Sequence, residues 1–132
     1  MKNYISITIF IAIMAGLLSC QKKEEVPLQP DEVKIVVTTP QEGQIYKWGD
    51  TVYIQGNISY TGQLHGYIAR IIDEQGAILY EGEGHTHGSN LPVNEQWVNM
   101  VNKASQLRLE LTTVIDHNEN KKTVNVAFSS QP

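Results

Sequence analysis

Apolar residues recur at every second position along most of the chain between Val33 and Phe128, and that period admits strands rather than helices. In Thr51–Ser59, Val52, Ile54 and Ile58 fall on one side and Tyr53, Gln55 and Asn57 on the other. Leu107, Leu109, Leu111 and Thr113 alternate with Arg108, Glu110 and Thr112, and Val124, Val126 and Phe128 align in Thr123–Phe128. Val33–Thr38 is a β-branched run ended by Pro40, with a turn at Gln41-Glu42-Gly43. Gly66–Ile72 reads as a further strand, and Asp73-Glu74-Gln75-Gly76 turns it into Ala77–Tyr80. Asp116–Asn120 is a polar turn before the final strand. Short strands separated by turns, without a long amphipathic helix, predict one all-β domain over 32–131, an antiparallel β-sandwich of about seven strands. Asn94–Ala104 fits the pattern least: Trp97 and Val101 lie four apart, so one or two helical turns and an irregular strand are both open. Trp97 is expected to anchor the core, whereas Trp48 sits in a turn beside Gly49-Asp50.

The first nineteen positions do not belong to that domain. Lys2 supplies a short positive region, Tyr4–Gly16 is apolar, and Leu17-Leu18-Ser19-Cys20 matches the lipobox that lipoprotein signal peptidase cleaves before Cys. The apolar run is too short and too abruptly ended to span a bilayer. Residues 1–19 are therefore expected to be a cleaved signal peptide and Cys20 to be lipidated. Each buried acyl methylene contributes roughly 0.8 kcal/mol, so two or three chains give a stable anchor. Cys20 is the single cysteine in the sequence, which excludes an internal disulfide, a cysteine-based metal site and a cysteine nucleophile.

Between anchor and domain, 20–31 form a spacer: Gln21-Lys22-Lys23-Glu24-Glu25 is charged, and Val26-Pro27-Leu28-Gln29-Pro30 lacks apolar periodicity. Gln21 is not the Asp that retains lipoproteins in an inner membrane. The formal charge is −4, and loss of Lys2 with the signal makes it one unit more negative. Apart from Lys22-Lys23 and Lys121-Lys122 there is no basic cluster, so nucleic acid is excluded as a partner on electrostatic grounds.

Histidine carries the chemistry worth weighing. His65, His85, His87 and His117 all fall in the folded domain. In an extended segment, His85 and His87 point to the same face with Cα atoms roughly 7 Å apart. That spacing suits chelation of Zn²⁺ or Cu²⁺, which favour neutral imidazole. Gly82, Gly84 and Gly88 leave the surrounding backbone unencumbered. His65 or His117 is a candidate third ligand, with Glu83 and Asp116 behind them. The same residues also suit an exposed polar loop, or one that senses pH through imidazole charge.

Other constellations fail. Asp116–Asn120 begins like a calcium loop, but Lys121 stands where Gly is required and Ala127 where a bidentate Glu belongs. There is no Gly-x-Ser-x-Gly elbow and no Gly-rich phosphate loop before a helix. Glu81, Glu83 and Glu95 are numerous enough for acid–base chemistry but cannot be paired by spacing, and read as a solvated face. No enzyme is expected.

Thr39-Pro40-Gln41-Glu42-Gly43 followed by Gly49-Asp50-Thr51-Val52 resembles the opening of bacterial immunoglobulin-like domains, and Asp116–Asn120 their last hairpin. With the lipobox, Gly84-His85-Thr86-His87 and Trp97, the mature chain resembles a domain-of-unknown-function family of Ig-like lipoproteins from Bacteroidota. The resemblance implies an Ig-like sandwich on the outer membrane and brings no activity with it. The antibody-type Cys pair is missing, so kinship with true immunoglobulins is architectural. The lysine-then-acid run after Cys20 resembles the surface-export signal of such lipoproteins, which implies the outer leaflet; the periplasmic face remains open. Asp50-Thr51-Val52 resembles an O-glycosylation acceptor at Thr51, though a turn entering a strand explains the same residues and is the favoured reading. Expected partners are the membrane, through the lipid, and a protein or glycan. The functional reading is a non-catalytic binding or structural module of the envelope, with a Zn- or Cu-binding lipoprotein as the alternative.

Overall fold

The computed structural model describes residues 32–116 and 120–132. Cys20, the spacer and His117 lie outside the described residues. Eight strands follow in order: β1 (Lys34–Thr39), β2 (Ile45–Lys47), β3 (Thr51–Ser59), β4 (Gly66–Asp73), β5 (Ile78–His85), β6 (Asn90–Val98), β7 (Ser105–Val114) and β8 (Lys121–Gln131). They form two sheets, β1-β3-β6 and β2-β8-β7-β4-β5, packed as a sandwich. The count is eight because Ile45–Lys47, too short to show a period, adds a strand at the edge of the larger sheet. It runs parallel to β8, while every other pairing is antiparallel. Among the described residues no helix is long and apolar enough to cross a membrane.

Alternation dictates the core. Val52, Ile54 and Ile58 of β3, with Leu91 and Val93 of β6, face Ala69 and Ile71 of β4, Leu107, Leu109 and Leu111 of β7, and Phe128 of β8; all are buried. Leu64 and Ile115 cap one end. At the other, Tyr46 of β2 meets Phe128 edge to face, ring centroids 5.7 Å apart. Burial of these apolar surfaces supplies the main favourable term in folding. Lys122 Nζ donates to the Val33 carbonyl at 2.7 Å, tying the start of β1 to β8.

Turn chemistry follows the sequence. Asp73 Oδ1 accepts from the amides of Gln75 and Ala77, and Gly76 takes a positive φ of 85° that favours glycine. Asn94–Val98 continues β6, so the segment read as helix or irregular strand is strand up to Val98 and irregular at 99–104. Pairing of Thr51–Ser59 with Asn90–Val98 along its whole length overrides the short helical spacing of Trp97 and Val101. Trp97 packs against the core while remaining half-buried, and Trp48 is exposed.

Truncating the centre of this core tests the packing. Leu109→Ala should lower unfolding free energy by about 2–5 kcal/mol, because the site is closed on every side. Val36→Thr on the outer surface should change it by less than about 0.5 kcal/mol. Urea unfolding followed by circular dichroism reads both.

Candidate metal centre

The connection from β5 to β6 leaves the five-stranded sheet and enters the three-stranded one, and it carries His85-Thr86-His87. His85 is the last residue of β5, paired with Gly66; His87 lies just beyond the strand. Backbone hydrogen bonds fasten the crossing to the residues that lead into β4. Thr86 N donates to His65 O at 3.1 Å, Leu64 N to Gly88 O at 2.9 Å, and Tyr60 N to Ser89 O at 2.9 Å. Gln63 Nε2 adds a bond to the His87 carbonyl at 2.6 Å, and His65 N donates to Val114 O. Two segments far apart in sequence thus meet at one corner.

Three histidines gather there. The Nε2 atoms of His85 and His87 are 3.1 Å apart, with ring centroids 4.7 Å apart and planes at 89°. The His65 ring stands edge-on to His87, centroids 5.7 Å apart. His85 and His87 are exposed and His65 is half-buried. Which imidazole donates and which accepts in this close contact depends on the tautomer. An ion at about 2.0–2.1 Å from both nitrogens would see them at roughly 100°, between square-planar and tetrahedral angles. Among the described residues, no three His, Cys, Asp or Glu side chains already converge on one metal position. The two Nε2 atoms are close, and the His65 ring lies beside His87.

Beside the histidines runs a groove of about 630 Å³, lined among others by His65, Tyr67, Glu83, His85, Asp116 and Lys121. Glu83 and Asp116 therefore lie close to the corner that the sequence reading gave them. Asp116 is engaged by Asn120, whose amide nitrogen and side-chain Nδ2 donate to its two oxygens. Thr51, the glycosylation candidate, opens β3 opposite Val98, at the other end of the strand from this corner.

Beneath the groove, two tyrosines and one glutamate bridge the sheets. Tyr67 Oη donates to Glu95 Oε1 and Tyr80 Oη to Glu95 Oε2, both at 2.7 Å. Glu95 belongs to β6, the tyrosines to β4 and β5. Glu81 and Glu83 are exposed, as expected for a solvated face, but Glu95 is not: its register opposite Ile54 points it between the sheets. Gly82 and Gly84 make room, since a Cβ on Gly84 would collide with the Tyr67 ring and one on Gly82 with the Tyr80 hydroxyl. The alternating glycines of β5 were the sequence signal for this bridge. Burial, then the hydrogen bond to Glu95 and its charge, push the Tyr80 hydroxyl up to about 12 and Tyr67 strongly in the same direction.

Compared with known proteins, the chain matches no protein-family model and no curated sequence. Among solved structures it is similar to CopC from Methylosinus trichosporium OB3b, at 9% identity and a TM-score of 0.45, over 75% of this chain and 95% of that one. A likeness of that degree carries no weight for site or ligand.

The tyrosine bridge fixes a pH dependence. Both hydroxyls hold their protons more tightly folded than unfolded, so their contribution is intact below pH 10. It is lost as the pH rises from 10 through the raised folded values, about 12 for Tyr80 and higher for Tyr67. Stability should therefore fall over that interval, and Tyr67→Phe/Tyr80→Phe should flatten the fall. Alkaline titration of tyrosinate absorbance alongside urea midpoints measures it.

Proposed function

We propose that this chain is a non-catalytic binding domain, lipid-anchored at Cys20 to the outer membrane, and that it takes a transition-metal ion, Zn²⁺ or Cu²⁺, at the β5–β6 corner. The observation that carries the metal reading is the pair of imidazole nitrogens 3.1 Å apart, held by a connection fastened at four points. A protein that already brings two borderline-soft donors to bite distance has met much of the ordering cost of chelation. His65 is the third ligand in this reading, its ring being beside His87. Solvent or a small ligand in the adjoining groove fills what remains.

The test is elemental analysis of the chain in detergent after Zn²⁺ or Cu²⁺ loading and exhaustive dialysis. About one ion should be retained per chain, none by His85→Ala/His87→Ala, and less by His65→Ala. Metal in excess should also raise the thermal midpoint of the wild type alone, by about 2.7 kcal/mol of added stability at a hundred times the dissociation constant. Wild-type protein that retains no metal would overturn the reading.

Anchoring has its own outcome. Cys20→Ala should abolish incorporation of labelled palmitate and move the chain from the membrane to the soluble fraction; a membrane-bound variant would refute lipidation as the anchor.

A further inference from the structure

The two outer faces of the sandwich differ in charge. On the five-stranded sheet, Arg70, Glu81, Glu83, Arg108, Glu110 and Lys121 all stand outward, and Arg70 pairs with Glu81 and Glu110. On the outward positions of β1, β3 and β6, Lys34 is the one charged side chain among the described residues. Amides take the place of charges. Gln55 Nε2 donates to Asn94 Oδ1 at 3.3 Å and Asn57 Nδ2 to Asn90 Oδ1 at 2.8 Å, across the β3–β6 ladder. Gln96 faces Tyr53, a residue 51% exposed. The β3 positions from Tyr53 to Asn57 span about 13 Å in a single row.

Charge decides which partner such a face fits. Nucleic acid and anionic lipid need a cationic surface, and a basic peptide needs carboxylates; neither is present. A stable protein interface needs a contiguous apolar centre. Here the exposed apolar side chains form two separate groups, Tyr53 with Val98 diagonal to it and Val36 with Pro92 across Asn57, and the Gln55–Asn94 pair lies between them. A primary amide offers two donors and an acceptor with two lone pairs, and each cross-strand bond uses one of these and holds the side chain in place. The remaining capacity points to solvent with its conformational freedom already reduced. Hydroxyl groups, which donate and accept at once, match amides, and the C–H face of a sugar ring stacks on an exposed aromatic. We propose that the amide face of β3 and β6, with Tyr53 as its stacking platform, binds a neutral polysaccharide. This surface is separate from the histidine corner and does not depend on a metal there.

Affinity electrophoresis of the full chain in detergent tests this, in native gels cast with dextran, galactomannan, xyloglucan or arabinan, and with polygalacturonate as the acidic control. At least one neutral polymer should retard the protein, and the acidic control should not. Tyr53→Ala should weaken retardation about tenfold, and Asn57→Ala/Asn94→Ala comparably. Glu81→Gln on the opposite face should leave it unchanged. All these positions are on the surface, and circular dichroism checks that each variant is folded. Retardation by no neutral polymer, by polygalacturonate equally, or unchanged in both face variants would overturn the proposal. So would a dimer in sedimentation that Tyr53→Ala dissolves, which would assign the face to a second copy.

Discussion

A sheet of five strands laid on a sheet of three leaves inner surface uncovered along one side, and this mismatch organises much of the molecule. Over β3, β7 and most of β4 the two faces meet with Val, Ile and Leu. At β5 the smaller sheet has run out, and β5 offers Gly82 and Gly84 where inward side chains would stand. Tyr67 and Tyr80 fill that strip, and Glu95 reaches from the edge of the smaller sheet to receive both hydroxyls. A carboxylate in this position is tolerated because two charge-assisted hydrogen bonds replace the water it gives up. The bridge adjoins the histidine crossing, since Tyr67 packs on Gly84 immediately before His85.

Much of the fold was legible because burial on one face imposes a period that the chain cannot disguise. Thr51–Ser59 could be read to its ends, since both faces alternate without a break. Ile45–Lys47 could not, because three residues hold no period and their parallel pairing with β8 is a long-range event. The extension of β5 from Tyr80 to His85 was hidden by its own glycines, which look like loop residues and are in fact the space for two rings. Of the candidate site, the His85–His87 pair was readable from spacing alone. That His65 joins them depends on how Gly66 pairs with both His85 and Val114, which no local pattern encodes. Glu95 was misread as solvated because its orientation depends on being opposite Ile54.

The sandwich thus presents surfaces of different chemistry from one alternating pattern. Residues facing inward are interchangeable apolar volume, constrained by packing. Those facing outward are free of that constraint, and here they divide by sheet into ion pairs on one side and uncharged amides on the other. Neither arrangement is needed to hold the domain together, since exposed pairs of this kind contribute little to stability.

The chain enters the sandwich at a telling place. Glu32 accepts a hydrogen bond from Thr61, and Val33 one from Lys122, so the first described residues lie at the end where β3, β5 and β7 finish and the histidines gather. Covalent geometry limits the stretch from Cys20 to Glu32 to about 40 Å, comparable to one bilayer with its headgroups. An anchor at Cys20 would therefore give the molecule a polarity. The tether would join the domain at the end that carries the imidazoles, and the start of β3 would lie at the opposite end.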